Sequence, residues 1–504
     1  MGDEYQEKVI QRGDECSALI AKICSPTLKN SRHVEVVSEG MNGISVLRIP
    51  KNQLVVVHSA GGNPQENDVR KYASSLVDRL VSASEDIGAT PVGFANVIDA
   101  SEINPELVKN IGNSLVERAN HFGLAILNGE LAGLGNRVTV PANLSGTMIS
   151  IIPLNWTAQD LCEEDKTLGA FKLINKTGIF TNGKTNYAIF DPDGNAVYVG
   201  SDGTGTKPEF AERSGNLYLP LRDSLVMKTD DKAKLGAIVR VVSDVVETRG
   251  INLEDSSFKF AIEEEAKILG HALDIDYIVQ CEDVRERIRS YKKGIKTINI
   301  SGSAVSTIDE STLRNPPKPS AGEYLITIRG KPNPRSNGIT DKRRIMIEWL
   351  GLEWHTTDTG REFLEFLQEP STMFYLLFRK LRENNLATSF YHMSGGAFNG
   401  KLARPLAKYG IFARLENLFP ADWRENIFVE RGHILPEIAR AKWPMGNEGF
   451  VTTQFPERTL DYIKNYGLEG RIVGQLEIAK DGRTGVELVG IKSSDGTDIY
   501  YPGN

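Results

Sequence analysis

Four cysteines in 504 residues, Cys16, Cys24, Cys162 and Cys281, include no Cys-x-x-Cys pair, which excludes the usual structural zinc and dithiol motifs and fits a reducing compartment. The seven histidines, His33, His58, His121, His271, His355, His392 and His433, are equally dispersed and form no His-x-x-x-His ligand set. Metal chemistry is then left to carboxylate oxygens, which means Mg2+ before Zn2+. No apolar run approaches the roughly 20 residues of a membrane span. The polar opening, Met1 to Lys8, has no apolar segment behind it, so no export signal is expected and a cytoplasmic location is. A basic excess is also missing: 66 acidic against 59 basic residues give a formal charge of −7. Such a balance provides no global field for nucleic acid, and neither nucleic acid nor membrane is expected as a partner.

What the chain does have is length and ordered alternation of elements. At 504 residues it exceeds one hydrophobic core, and two to four domains are expected. A helix near Glu4 to Ile23 leads to strands around Val34 to Val37 and Ile44 to Ile49, then to the apolar run Leu54-Val55-Val56-Val57 ending at Ala60-Gly61-Gly62-Asn63. A helix pattern from Asp68 to Ile87, stopped at Gly88-Ala89, precedes a strand over Val92 to Val97. Leu107, Ile111, Leu115 and Ala119 recur at spacings of four after Asn104-Pro105, so this helix buries one face. The short strand Leu124 to Leu127 then delivers Asn128-Gly129-Glu130 into a loop, and Asn143 to Ile152 reads as a further strand. Cys16 and Cys24, eight apart, fit core packing on one helix face.

A second pass through the same order begins near Gly169. Tyr187 to Phe190 and Ala196 to Val199, joined by Asp191-Pro192-Asp193-Gly194, read as a hairpin. Helix Arg222 to Leu235, stopped at Gly236-Ala237, strand Val239 to Val246, helix Asp255 to Leu269 and strand Ile275 to Val279 follow, ending at Cys281-Glu282. This echo argues for duplication. The proline-rich stretch Arg314 to Ser320 marks a boundary. Beyond it come strand Glu323 to Ile328, loop Pro332 to Gly338, helices to Trp349 and over Thr372 to Leu381, and strand Ser389 to Tyr391. Strand, helix and strand over Gly449 to Ile478 follow, with a last hairpin turning at Lys480-Asp481-Gly482. The expected class is α/β with mixed sheets. Domains are expected over 1–155, 156–315 and 321–504.

The best chemical signal is Gly200-Ser201-Asp202-Gly203-Thr204-Gly205-Thr206-Lys207, directly after the alternation Ala196-Val197-Tyr198-Val199. A strand running into such a turn presents backbone N–H groups, two hydroxyls, a carboxylate and an ammonium close together, which suits a magnesium-bound polyphosphate. It is neither the P-loop nor the dinucleotide pattern, and no helix with the latter's spacing is expected after it. A glycine–threonine cluster after a strand also occurs as a plain turn. Asp230 and Asp231, adjacent on the following helix, either meet a cation or face water. Glu130 and Glu282 each follow a buried strand. Ser336-Asn337-Gly338 is a tight turn able to expose amides at a helix start. His392, leaving an aromatic strand into Ser394-Gly395-Gly396, serves as a base, a phosphate partner or a hydrogen-bonded core residue. Arg335, Lys401 and Arg404 supply positive charge for a phosphorylated substrate.

Taken in order, Asp202-Gly203-Thr204-Gly205-Thr206-Lys207, Ser336-Asn337-Gly338 and His392-Met393-Ser394-Gly395-Gly396 resemble the motifs of the aminoimidazole ribonucleotide synthases, also called phosphoribosylformylglycinamidine cyclo-ligases. Glu369-Pro370-Ser371-Thr372, Pro436 to Arg440, Gly446 to Gly449 and Gly470 to Gly474 extend the likeness over about residues 170 to 480. The first 155 residues resemble the same N-type domain again, through Gly88-Ala89-Thr90-Pro91 and Asn128-Gly129-Glu130-Leu131-Ala132. Departures are Asn96 for an aspartate, Arg335 before Ser-Asn-Gly, Ala397 for a third glycine, and a missing Asn near Trp443-Pro444.

The resemblance implies two paired N-type domains forming a barrel-like core plus one C-type α/β domain, built as a pseudo-dimeric monomer or a homodimer. It implies ATP and Mg2+ as cofactors and a phosphorylated ribonucleotide as substrate, with ring closure of formylglycinamidine ribonucleotide to aminoimidazole ribonucleotide as the reaction. Mg2+ would be held by Asp202, Asp231 and Glu130. Lys207 would follow the transferred phosphoryl group, and His392 would position or deprotonate near the substrate. Gly203, Thr204, Gly205, Thr206, Lys207, Ser336, Asn337, Gly338, Gly395 and Gly396 would bind the nucleotide. The two copies look complementary, copy one keeping Glu130 with Ala60-Gly61-Gly62-Asn63 at its turn, copy two keeping the Asp202 turn with Gln280-Cys281-Glu282 opposite Gly-Gly-Glu. Other enzymes of the superfamily, such as a small-molecule kinase or selenophosphate synthase, and a catalytically silent scaffold remain as alternatives.

Overall fold

In a computed structural model, residues 2–37, 45–156 and 177–503 are described. Cys162, the Gly169 start of the second pass and the first residue of the strand expected from Ile44 lie outside them. Two compact units are present. One comprises Gln6–Glu212 and Ala237–Asn315; the other is built from Arg213–Gly236 and the residues from Pro316. No helix of the described residues is long and apolar enough to cross a membrane.

The first unit holds strands β1 (Glu35–Val37), β2 (Val46–Arg48), β3 (Gln53–Gly61), β4 (Thr90–Ala100), β5 (Ala125–Gly133), β6 (Ala142–Pro153), β7 (Thr177–Thr181), β8 (Asn186–Phe190), β9 (Ala196–Gly203), β10 (Ile238–Arg249), β11 (Asp276–Asp283) and β12 (Thr297–Ile308). They form two six-stranded sheets, β1-β2-β9-β12-β10-β11 and β5-β4-β6-β3-β8-β7. The order β9-β12-β10-β11 repeats β3-β6-β4-β5, so the duplication read from the sequence is a duplication of sheet topology. Alternating inward residues of both sheets, among them Val55, Val57, Ile149, Val197, Val199, Val241 and Val305, share one core. Helices Val69–Glu85 and Pro105–Phe122 cover the outer face of the second sheet through Leu76, Leu80, Ile111 and Leu115. Asp68 caps the first, accepting from the N–H groups of Arg70 and Lys71, and Asn104 caps the second.

The hairpin expected to join Tyr187–Phe190 to Ala196–Val199 is not formed. β8 pairs with β7 and β3, whereas β9 lies in the other sheet beside β12 and β2. Each copy therefore lends its leading strands to the other: β1–β2 precede β3 but join β9, and β7–β8 precede β9 but join β3. Asp191 to Gly194 still turn the chain, but between sheets. Local turn chemistry is indifferent to which strand becomes the neighbour.

Register fixes the equivalences. Ala60 and Asp202 each face a glycine, Gly146 and Gly302. Asp99 faces Asn143 as Glu247 faces Asn299. Ser145 and Ser301, equivalent to each other, are hydrogen-bonded at 2.6 Å, and Arg137 and Arg287 exchange backbone bonds, Thr139 N–H to Arg287 O and Arg289 N–H to Arg137 O, both 2.9 Å. These pairs mark a local two-fold axis. A bulge in β5 next to Leu127 shifts its register, so that Glu130, paired with Val97, corresponds to Gln280, paired with Val245. Glu282 corresponds instead to Ala132, which corrects the alignment of Gln280-Cys281-Glu282 with Gly-Gly-Glu.

The second unit contains β13 (Tyr324–Arg329), β14 (Ser389–His392), β15 (Ile411–Leu415), β16 (Gly449–Thr453), β17 (Glu469–Ile478), β18 (Gly485–Lys492) and β19 (Asp498–Tyr501) in the order β14-β16-β13-β17-β15-β18-β19. β15 lies between β17 and β18, so the turn at Lys480-Asp481-Gly482 is a crossover and the last hairpin is β18–β19. The helix expected over Thr372 to Leu381 starts later, at Tyr375–Glu383. Helix Leu219–Leu235, carrying Asp223, Asp230 and Asp231, belongs to this unit.

Candidate functional site

In the first unit the Asp202 turn is bound to itself and to the neighbouring strand β12. The N–H of Gly203 donates to Asp202 Oδ1 at 2.7 Å, and both the N–H and Oγ1 of Thr204 donate to Ile300 O, at 2.9 and 3.1 Å. Lys207 N–H closes the turn on Thr204 O at 3.3 Å, and a helix, Pro208–Ser214, begins at the next residue where none was expected. Its acids Glu209 and Glu212 face the buried Arg137, with Arg137 Nη2 to Glu212 Oε1 at 2.8 Å. Thr204, Thr206 and Lys207 are buried while Asp202 is partly exposed.

Behind the turn lies a polar ladder. Asn299 Nδ2 donates to Asp99 Oδ2 at 2.7 Å and to Glu247 Oε2 at 2.8 Å, and Asn143 Nδ2 donates to the same Glu247 oxygen at 2.6 Å. Asp99 Oδ1 and Glu247 Oε1 are buried without a hydrogen-bond partner. Burial pushes Asp99 up to about 6, with the nearby Asp202 charge adding to the rise. Burial pushes Glu247 up to about 8, the amide bonds opposing and Asp99 assisting. Glu130 lines a cavity of about 500 Å3 between the first helix and β5, with Ile20, Cys24, Asn96, Ile98 and Asn128 in its walls. Asn96 Oδ1 is buried there with no partner. Val97 Cγ1 comes within 3.5 Å of where a Gly203 side chain would begin, on the face of β4 opposite to the Asn96 and Ile98 side chains. Among the described residues no three His, Cys, Asp or Glu side chains gather into a metal cage. Asp202, at the turn, and Glu130, in the cavity wall, each offer hard carboxylate oxygens, the type that binds Mg2+ alongside phosphate and water.

The second unit brings together Asp231, His392 and the two glycine turns. Asp231 Oδ1 receives Lys234 Nζ at 2.5 Å and lies 3.4 Å from His392 Nε2, which is 3.0 Å from Ser394 Oγ. Burial raises Asp231, but Lys234, Lys401 and Lys232 together hold it well below the ordinary carboxylate range. Burial holds His392 well below its usual value against the pull of Asp231, so the imidazole is neutral, and its Nδ1 is buried without a partner. Asn337 Nδ2 ties its turn to Met393 O at 2.9 Å. Gly338 has a left-handed φ of 61°, and a Cβ there would stand 1.7 Å from Trp443 Nε1. Arg335, Ser336 and Ala397 also have positive φ, a concentration of backbone strain around His392 and Asn337.

Of the adjacent acids, Asp231 is about one third exposed and Asp230 fully buried. Asp230 accepts from Arg335 Nη2 at 3.0 Å and Phe374 N–H at 2.9 Å; burial raises it to about 6 against the lowering pull of Arg335. Asp223, about two helical turns earlier, accepts at Oδ1 from Ser336 Oγ, Ser371 N–H and Ser371 Oγ, at 3.0, 3.0 and 2.7 Å. Ser336 is thus spent on holding its turn. Asp230 and Arg335 each stand out in sequence but not as a pair, and sequence reasoning misses Asp223; its seven-residue spacing from Asp230 on one helix is the signal that could have found it.

These features define a mixed α/β protein with a duplicated sheet pair, one acidic glycine–threonine turn and a separate histidine-centred cluster. No family model matches the chain. It is similar to the phosphoribosylformylglycinamidine cyclo-ligase of Pyrococcus horikoshii, 24% identical over 296 residues that cover 58% of this chain and 83% of that protein. The cyclo-ligase of Thermococcus kodakarensis is 23% identical over 301 residues, 58% and 82% of the two chains. Both carry the family name that the motifs resemble. Among solved structures, thiamine-monophosphate kinase from Stenotrophomonas maltophilia is 14% identical with a TM-score of 0.39, over 59% of this chain and 89% of that one.

Proposed function

We propose that the chain is an ATP-dependent enzyme that closes the imidazole ring of aminoimidazole ribonucleotide from formylglycinamidine ribonucleotide. The observation that carries this reading is the turn from Asp202 to Lys207, which gathers a partly exposed carboxylate, two buried threonines and a buried lysine at the end of a central strand. Similarity to two cyclo-ligases supports the same reaction. Asp202 and Glu130 are the residues assigned to Mg2+, whose charge would offset that of the polyphosphate.

In the reaction the formamide oxygen takes the γ-phosphoryl group of ATP, releasing ADP. The neighbouring amine nitrogen then attacks that carbon, phosphate leaves with the former amide oxygen, and a proton is lost as the ring closes. Lys207 contributes positive charge where the phosphoryl group carries negative charge in transit. His392 is too weakly basic to collect the proton at neutral pH, so its role is to orient substrate through the unpartnered Nδ1, with Asp231 and Ser394 fixing the ring at Nε2.

Incubating the purified chain with ATP, Mg2+ and formylglycinamidine ribonucleotide should yield ADP, phosphate and the aminoimidazole product in equal amounts. A phosphorylated acceptor without ring closure indicates a kinase instead, and nucleotide binding without turnover on the ribonucleotide indicates a silent homologue.

A further inference from the structure

The copy-one counterpart of the Asp202 turn is not empty of charge. Gly61 is paired with Ser145 as Gly203 is with Ser301, and Ala60 takes the place of Asp202, so this copy has no carboxylate of its own at that point. One arrives from the other sheet. Glu282 Oε1 accepts the Gly61 N–H at 3.1 Å, and Arg79, on helix Val69–Glu85, grips both carboxylate oxygens, Nη2 to Oε1 at 3.0 Å and Nη1 to Oε2 at 3.2 Å. The same Nη1 donates to the carbonyls of Gly61 at 2.5 Å and Gly62 at 3.1 Å, which holds the guanidinium against the turn. The Glu282 side chain is 9% exposed. A Cβ on residue 61 would lie 2.7 Å from Glu282 Oε2, so any larger residue there would displace the carboxylate from this position.

A forked guanidinium plus a backbone N–H at a strand end is the donor set that receives an oxyanion. Neither half of this contact is repeated in the other copy. Counting back equally from Gly88-Ala89 and Gly236-Ala237 brings Arg79 to Met227, and strand register brings Glu282 to Ala132. The two-fold relation of the sheets has been broken in favour of a closed contact on one side and an open cavity beside Glu130 on the other.

We propose that Arg79 and the Gly61 N–H form a second oxyanion site, that the chain fills this site with its own Glu282 carboxylate, and that it consequently binds one nucleotide and not two. The count of nucleotides rests on the proposed nucleotide role of the Asp202 turn; the self-occupied site does not. Removing the occupant while leaving Arg79 should open the site to a small carboxylate.

The test is thermal melting of the full chain as wild type, Glu282→Ala and Arg79→Ala/Glu282→Ala, in sodium acetate against sodium chloride at equal ionic strength. Glu282→Ala should melt lower than wild type and regain several degrees in acetate, saturably in the millimolar range, whereas wild type and the double variant should respond alike to the two salts. A Glu282→Ala protein that shows no acetate-specific gain overturns the site. A second measurement needs no variant: native mass spectrometry of the wild type with Mg2+ and a non-hydrolysable ATP analogue. One analogue per chain is expected, and two would overturn the closure of the second site. None would instead overturn the nucleotide role of the Asp202 turn, leaving the acetate series to decide the self-occupied site.

Discussion

Glu247→Gln should stabilise the first unit at high pH and hardly change it at low pH. Glu247 Oε2 already accepts two amide N–H groups, from Asn143 and Asn299, while Oε1 is buried and unpartnered. A protonated carboxyl with its hydrogen on Oε1 keeps both bonds at Oε2 and removes the buried charge, and a glutamine with its amide nitrogen in the Oε1 place does the same. Burial raises the group from 4.5 to about 8. Between those two values the unfolded chain releases the proton and the folded one retains it, so wild-type stability falls as pH rises through this window and stays low above it. At about 1.4 kcal/mol per pH unit the full cost approaches about 5 kcal/mol, a ceiling that relaxation of the ladder reduces. Glutamine has no such term. In calorimetric melts from pH 5 to 8.5, the variant should track wild type at the acid end and exceed it by several degrees at the alkaline end. A difference that is independent of pH, or a wild type that gains on the variant above pH 8, would show that Glu247 is ionised in the fold and refute the argument.

Asp99→Asn should show the same sign in a lower window, between 3.8 and about 6, and the gains of the two variants should not add, because the Asp99 charge raises Glu247 and both accept from Asn299. Arg335→Met leaves Asp230 buried and unpaired, a loss of about 3–5 kcal/mol that denaturant melts of the full chain should register, and Asp230→Asn in the same background should recover part of it. Gly338→Ala, facing Trp443 with a positive φ, should destabilise by more than about 2 kcal/mol, seen as a lower melting temperature and a disturbed Trp fluorescence spectrum. His392→Asn should raise KM for the ribonucleotide more than it lowers kcat and leave the pH profile without a shifted acid limb, since the imidazole is neutral throughout; an acid limb that vanishes in the variant would mean that His392 titrates in turnover.

The parts readable from sequence were those fixed by short-range chemistry. The Asp202 turn follows from glycine and threonine composition after an alternating strand, and the duplication follows from the repeated Gly-Ala stops at Gly88 and Gly236. Partner choice was not readable. Asp191 to Gly194 make a good turn whichever strand β8 joins, and only the two-sheet arrangement sends it to β3. The bulge at Leu127 accounts for one of the two residues by which Glu282 was misaligned with Glu130, and no residue type in the segment marks where a strand bulges. Asp230 and Asp231 looked interchangeable in sequence, yet adjacent positions on a helix point about 100° apart, and one is sealed against Arg335 while the other reaches His392.

The most direct trial of the nucleotide site is a calorimetric titration of a non-hydrolysable ATP analogue into wild type and Asp202→Asn, each with Mg2+ and with EDTA. Wild type should bind only when Mg2+ is present, and Asp202→Asn should lose at least about tenfold in affinity, or about 1.4 kcal/mol, with an unchanged melting temperature. Equal affinity in the two proteins, or wild-type binding that persists in EDTA, would contradict a cation-bridged triphosphate at Asp202.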